Sequence, residues 1–357
     1  MFLQRKGFKR LWTSSCVYIS SNRMIVVVYV DDILLIHPEQ EEIDSMVRVM
    51  EQEYDIHDLD ELSCILGVKV RWKAGELRMS QSTYIDAVLQ KFKMDQCRTA
   101  PTPLDPSIEL SESNCPKTNA EREDMAGVPY RELVGSLMYV ALCTRPDILF
   151  AVTKLSQFST NPGRIHRNQL KHVLRYLSMT KHCELTFKGG CDNVTEIHCD
   201  ADWARDVDDR KSWTGITIKV GGNLVGWISR KQQCVASSTM EAEYMALAAA
   251  AKEAKWLQMM YKELRLNDCM RLPAIVFCDN QSAIKLASNR IERSRSRHID
   301  VAYHVAREMV QQGTATLQYV PSNENIADVL TKSLRPVMQK KALEMLNMKS
   351  QEIGGHC

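Results

Sequence analysis

The sequence predicts a multidomain chain of α/β and α+β character whose last unit is a mixed five-stranded sheet with flanking helices. Three observations carry that expectation. Strand-period and helix-period hydrophobic stretches alternate through the last third of the chain, the grammar of helices packed on a sheet. A stretch rich in proline, serine and asparagine interrupts all periodicity from Thr99 onward. A length of 357 residues is enough for about two or three domains with ordinary cores.

Composition narrows the class without naming partners. With 45% hydrophobic and 25% charged residues the chain sits among ordinary soluble globular proteins. A net charge of +2 leaves nucleic-acid binding open, because such binding needs only a local basic face. None of the 12 cysteines falls in a CxxC pair, and the loose group His182, Cys183, Cys191, His198 and Cys199 fits no zinc-ligand spacing. Scattered buried thiols in a reducing compartment are expected instead. The longest apolar run, residues 24–30, is far too short to cross a bilayer, and MFLQRKGFKRLW lacks the apolar core of a secretory signal. The expectation is an intracellular, soluble protein.

Taken in order, MIVVVYV and ILLI, joined through Asp31 and Asp32, read as a buried hairpin with carboxylates at its tip. A bare Asp-Asp between strands is by itself an ordinary turn. Ile43, Met46, Val47 and Met50 recur at helical spacing. CILGVKVRWKAGELRMSQ alternates and turns at Gly75, giving a hairpin, and a helix is expected over about 83–94. TAPTPLDPSIELSESNCPKTNAERED has no sustained period and reads as a linker or long loop. Helices return in YRELVGSLMYVALC, in PDILFAVTKLSQF with Pro146 in its first turn, and in RNQLKHVLRYLSMT. Their expected role is scaffolding, with Arg145, Lys171, His172 and Arg175 solvated or touching a nucleic-acid backbone.

From near Gly190 the pattern is a strand, EIHCDADW, then a hairpin turning at Gly221 and Gly222, then the longest helical stretch, SSTMEAEYMALAAAAKEAKWLQMMYKEL. PAIVFCDN reads as a strand, NQSAIKLASN and HIDVAYHVAREMVQQ as helices, TATLQYV as a last strand and NIADVLTKSL as a closing helix.

Four acids, Asp200, Glu243, Asp279 and Asp328, fall where these strands end and helices begin. Carboxylates gathered from separate elements suit hard cations such as Mg2+. A pair of such ions, about 3.5 to 4 Å apart, holds a phosphodiester and activates the attacking water. Ser238 and Glu241 form a capping box, which gives Glu241 a structural task. Glu243 has none. It borders the apolar face carrying Tyr244, Leu247 and Ala251, where a carboxylate is costly unless a cation or hydrogen bonds compensate it. Asp200 and Asp202 share a strand face, so parity does not separate them. Asp279 reads equally as a helix N-cap and as a ligand. Asp328, in a first helical turn, reads on its own as a macrodipole partner.

The blocks YVDD, VGSLMYVALCTRPDILFAV, DADWA, ASSTMEAEY and ADVLTKSL, in that order, resemble a copia-type LTR retrotransposon Pol polyprotein, from about residue 7 to about residue 334. The resemblance implies a partial reverse-transcriptase palm and thumb at 1–98, with fingers and first palm motif missing and therefore no polymerisation by this chain alone. It implies a linker and helical connection at 99–190, a ribonuclease H-like domain at 191–335 and a C-terminal helix and tail at 336–357. Within it, Asp31 and Asp32 match the polymerase aspartates that share metal ions with a third aspartate on an earlier strand, and LGVKV resembles the primer-contacting hairpin. Asp200 matches the first nuclease carboxylate, with Glu243, Asp279 and Asp328 completing the set; Asp202 belongs to the DADWA pattern.

The implied chemistry is Mg2+-dependent hydrolysis of RNA in RNA:DNA hybrids, with two ions at the nuclease site and Mn2+ as a substitute. The implied partners are the hybrid, template-primer and other Pol or Gag products, with no membrane and no small-molecule cofactor. The implied location is a cytoplasmic virus-like particle with nuclear access. The loop VPSNEN lacks the histidine of many cellular enzymes, so His298 reads either as its substitute or as a helix-start residue near Asp300. Arg290, Arg293, Arg295 and Arg297 read as phosphate contacts or as a solvated run, and Ser237, Ser238 and Thr239 as further backbone contacts to an A-like hybrid. The rival reading is a non-catalytic retrotransposon remnant that at most binds nucleic acid.

Overall fold

The computed structural model describes residues 2–73, 75–190, 192–288 and 300–350, with the backbone alone at 300–304. Arg290, Arg293, Arg295, Arg297 and His298 therefore lie outside the described residues.

The first unit is a short helix α1 (Phe2–Arg5), four antiparallel strands β1 (Lys9–Arg10), β2 (Val17–Ile19), β3 (Ile25–Tyr29) and β4 (Asp32–Ile36) in sequential order, and helix α2 (Gln40–Glu51). Its core is small: Phe2, Leu3, Phe8, Tyr18, Met24, Val26, Met46 and Met50. The β3–β4 hairpin was expected to be buried and is not. Val26 is fully buried, but β4 is the sheet edge, and Tyr29, Val30, Ile33 and Ile36 are exposed, with no strand beyond β4 among the described residues. Tyr29 pairs with Asp32 across the turn, and Val30 takes a positive φ of 54°, a conformation that β-branched residues rarely adopt.

The middle of the chain builds the largest core. Strands β5 (Cys64–Ile65), β6 (Val68–Lys73) and β7 (Glu76–Ser80) form the expected turn at Gly75, and helix α3 (Ser82–Lys91) follows. Residues after Thr99 are not a free linker. Ala100, Thr102, Leu104 and Leu110 are buried, and helix α4 (Asn119–Ala126) starts on a capping box in which Thr118 and Glu121 satisfy each other's backbone N–H. Helices α5 (Tyr130–Cys143), α6 (Leu149–Ser156) and α7 (Arg164–Thr180) bury Leu137, Val140, Ile148, Val152, Leu155, Leu170, Val173 and Leu174 together.

Arg145 is neither solvated nor available to a phosphate. Its guanidinium grips Asp147 through Nε at 2.9 Å and Nη2 at 2.7 Å, donates to the Thr180 carbonyl at 3.0 Å, and is 1% exposed. Tyr176 donates its hydroxyl to the same carboxylate at 2.7 Å, so a buried ion pair ties α5, α6 and α7. Strand β8 (Cys183–Lys188) then joins β7, giving a second sheet ordered β14-β8-β7-β6-β5, where β14 is Met348–Ser350.

The third sheet contains the five strands expected. Strands β9 (Val194–Asp202), β10 (Trp213–Val220) and β11 (Asn223–Lys231) are antiparallel, while β12 (Arg271–Cys278) runs parallel to β9 and to β13 (Ala315–Tyr319), in the order β11-β10-β9-β12-β13. Helix α8 (Thr239–Glu263) lies against β9, β10 and β12. Its buried stripe is largely alanine, which lets the helix axis approach the sheet closely. Helices α9 (Gln281–Ser288) and α10 (Asp300–Gln311) pack beside α8. NIADVLTKSL, expected as a helix, is instead a 3-10 turn over Ile326–Leu330, capped by the Asn325 side chain, which accepts from Ala327 N at 3.2 Å. Helix α11 (Pro336–Met345) closes onto the middle core through Ala342 and Leu346. Among the described residues no helix is long and apolar enough to cross a membrane.

Candidate active site

Asp200, Glu243, Asp279 and Asp328 arrive from four different elements at one end of the third sheet. Asp200 stands near the end of β9 and is 3% exposed. The Thr331 hydroxyl donates to its Oδ2, and its carboxyl also hydrogen-bonds with Asp328 from the 3-10 turn. That turn reaches the strand because Gly215, the register partner of Asp200 on β10, has no side chain. A Cβ there would meet the Ala327 carbonyl oxygen at 2.7 Å and Thr331 Cγ2 at 2.8 Å.

Glu243, in the second turn of α8, is 4% exposed and receives a backbone hydrogen bond from Ala201. Asp279 follows β12 directly and accepts from Ser322 Oγ at 2.6 Å. The N-cap alternative for Asp279 is removed by its neighbour, since Asn280 Oδ1 accepts from Ala283 N at 3.0 Å and caps α9. One ligand atom each from Glu243, Cys278 and Asp279 lie within 4.8 Å of one another.

The capping box at α8 is shifted by one residue. Ser238 accepts from Glu241 N at 3.2 Å, but the Glu241 carboxylate accepts from Ser237, through its N–H at 2.6 Å and its hydroxyl, rather than from Ser238. Ser238 is thus engaged as a cap and Ser237 is exposed beside it.

Burial comes first in the electrostatics, and crowding of like charges adds to it. Burial, then Asp328 and Asp279, push the Asp200 carboxyl up to about 7, against the pull of Lys332 and Thr331. Burial, then Asp200, Cys278 and Asp279, push Glu243 up to about 11. Asp328 is raised by burial despite its ion pair with Lys332 Nζ at 2.9 Å. Burial works against the charge on Lys332, but Asp200, Asp328 and Asp202 outweigh it and hold the ammonium above its usual range. Asp202 is set apart from Asp200 by its partner: it is partly exposed and faces Arg205 Nη1 at 3.4 Å. Sequence reasoning did not single out Lys332, Thr331, Ser322 or Cys278. The spacing of Asp328 and Lys332, four apart, was the one available signal.

The donors present fit a hard divalent cation. They are carboxylate oxygens from separate elements, crowded and short of counter-charge, with one lysine among them. The other pair of acids is not built in the same way. Asp31 and Asp32 are exposed at the β3–β4 turn, and among the described residues no further acid, histidine or cysteine completes a metal-holding group with them.

The family described as reverse transcriptase (RNA-dependent DNA polymerase) matches residues 1–106. The retrovirus-related Pol polyprotein from transposon TNT 1-94 of Nicotiana tabacum is 40% identical over 337 residues, which is 93% of this chain and 25% of that protein. The corresponding polyprotein from transposon RE1 of Arabidopsis thaliana is 35% identical over 309 residues, 87% of this chain and 20% of its own length. The chain thus spans about a quarter or less of the length of these two relatives. Among solved structures, LC11-RNase H1, isolated from compost by a metagenomic approach, is similar over 42% of this chain and 99% of its own, at 18% identity and a TM-score of 0.31. Because the likeness to the Pol polyproteins runs through nearly every element described above, from the first sheet to the 3-10 turn that carries Asp328, the chain belongs to the copia-type retrotransposon Pol polyproteins.

Proposed function

We propose that residues 191–335 form a ribonuclease H unit that hydrolyses the RNA strand of RNA:DNA hybrids, with Mg2+ held by Asp200, Glu243, Asp279 and Asp328. The observation that carries this reading is the convergence of those four acids on one sheet end, where burial and mutual repulsion raise Asp200, Glu243 and Asp328 together. Bound as a pair, Mg2+ ions supply a clamp on the scissile phosphate and a water acidified for attack. Mn2+ satisfies the same oxygen donors.

The chain's own residues set the geometry. Thr331 fixes the rotamer of Asp200, Ser322 that of Asp279, and Lys332 holds Asp328 while lowering the cost of the assembled charges. The exposed Thr239 at the start of α8 offers its hydroxyl to the hybrid backbone one turn from Glu243, while Ser237 and Ser238, engaged with Glu241, hold that helix end in place beside it. Arg293, Arg295, Arg297 and His298, outside the described residues, are proposed on sequence alone as phosphate contacts.

Residues 1–98 are the palm and thumb portion of a reverse transcriptase, with Asp31 and Asp32 as two of its metal ligands and template-primer as its substrate. Residues 99–190 are its connection, and 336–357 a closing helix and tail. Other Pol or Gag products are the protein partners, and a cytoplasmic particle with nuclear access is the setting.

Cleavage of a hybrid bearing end-labelled RNA, by the full chain with Mg2+, tests the reading. Asp200→Asn abolishes the cleavage and leaves the circular dichroism spectrum unchanged. Undiminished cleavage by the variant removes the proposal.

A further inference from the structure

We propose that Cys278, Glu243 and Asp279 form a site for a thiophilic divalent cation of the zinc class, overlapping the proposed Mg2+ centre but recognised by different chemistry. Cys278 ends β12 and is fully buried, one residue before Asp279. Its sulfur lies 4.0 Å from Glu243 Oε2 and accepts from Asn280 N at 3.4 Å, at the start of α9. All three ligand atoms fall within 4.8 Å of one another. Zn2+ binds thiolate at about 2.3 Å and carboxylate oxygen at about 2.0 to 2.2 Å, so tetrahedral ligands stand about 3.3 to 3.8 Å apart.

Glu243 points to the same conclusion independently. It is a buried carboxyl, 4% exposed, yet the lysine at this centre pairs with Asp328 and not with it. Among the described residues no basic side chain comes within ion-pair distance of Glu243, and the side chain nearest its Oε2 in hydrogen-bonding geometry is the Cys278 thiol. The side chain therefore stands between a soft donor, the Cys278 sulfur, and the Asp279 carboxylate. Hard ions take the oxygens and leave sulfur aside, whereas zinc-class ions gain most from a thiolate. Binding such an ion releases the Cys278 thiol proton to solvent.

It also withdraws two of the four carboxylates from Mg2+, so a zinc-class cation and Mg2+ exclude each other. That inhibitory consequence rests on the nuclease reading; the cation site itself does not. Cys199, the register partner of Cys278 on β9 and likewise fully buried, donates instead to the Phe277 carbonyl at 3.4 Å and is not needed.

The test is a titration of the full, thiol-reduced chain with Cd2+, read by thiolate-to-cadmium charge-transfer absorption. The wild type should develop the band at one equivalent. Cys278→Ala should weaken the tight phase by more than about a hundredfold, since even losing an indirect support of a metal ligand costs about 10 to 100-fold. Cys199→Ala should leave it in place. Asp279→Asn, which keeps every thiol, should weaken it as well and serves if the alanine variant does not fold. A tight band that survives Cys278→Ala, or that Asp279→Asn leaves unaltered, overturns the proposal. Hybrid cleavage is read separately: a chain that shows the Cd2+ band but no Mg2+-dependent cleavage refutes the nuclease and keeps this site.

Discussion

Replacing Asp200 by asparagine should stabilise the metal-free protein while destroying its metal site. Asparagine keeps the shape and can still accept from Thr331, but it carries no charge into the cluster. The folded-state pKa of Asp200 is raised from 3.8 to about 7. A raised carboxyl holds its proton longer in the folded chain than in the unfolded one. Its contribution is therefore intact below about pH 4, erodes as pH rises toward about 7, and is fully lost above that. The loss amounts to about 4 kcal/mol, at 1.36 kcal/mol for each unit of pKa. Removing the charge recovers up to that amount at about pH 8 and much less at about pH 5.

Because a chain of several units does not unfold in one step, the assay is amide hydrogen exchange of β9 and α8, in chelator, at both pH values. Wild type and variant are compared at equal pH, so the intrinsic exchange rate cancels. Slower exchange in the variant at the higher pH, with the difference shrinking at the lower pH, is expected. Faster exchange at the higher pH would refute the claim that crowded charge is what Asp200 brings to the metal-free fold.

Other perturbations reach other parts of the account. Gly215→Ala should push the 3-10 turn away from β9, costing about 1 to 3 kcal/mol and weakening Mg2+ binding by calorimetry, because the new Cβ would sit 2.7 Å from the Ala327 carbonyl; unchanged Mg2+ affinity would contradict it. Arg145→Ala should destabilise the middle core by about 3 to 5 kcal/mol in urea unfolding, as it strands Asp147 buried and unpaired, and lysine should not restore the bidentate grip. On a template-primer this chain should incorporate no labelled nucleotide, since Asp31 and Asp32 find no third ligand among the described residues. Measured incorporation would show that the polymerase centre is assembled in some other way.

The third sheet was legible because its signals are local. The short strand-like stretch EIHCDADW gave β9, the paired glycines gave the β10–β11 turn, and α8 announced itself through length and its Ser-Ser-Thr start. What the sequence concealed depends on partners far along the chain. Strand β8 carries a buried Glu184, and Arg71 and Arg78 across the sheet, at 3.9 and 3.7 Å, help to offset that burial. Arg145 resembled a surface cation until Asp147 and Thr180 closed around it. Residues after Thr99 lack a period yet pack, since irregular chain can bury single apolar side chains without repeating them. The β3–β4 hairpin misled in the opposite direction, because its continuous valine and isoleucine run marks strand propensity but not what covers the strand.

The acids show the same division. That four acids fall where strands end and helices begin was readable, but not which of two aspartates on one strand face stands with the other three. Arg205 beside Asp202 and Thr331 beside Asp200 make that distinction, and Asn280 rather than Asp279 takes the cap. Lys332 escaped notice because a lysine four residues after an aspartate is ordinary on any helix surface; here it is the counter-charge of the centre.

Anomalous diffraction from crystals soaked in Mn2+ tests the central claim most directly. The account predicts strong peaks among the carboxylates of Asp200, Glu243, Asp279 and Asp328, lost in Asp200→Asn crystals. Mn2+ bound elsewhere, with those four side chains free of metal, would contradict it.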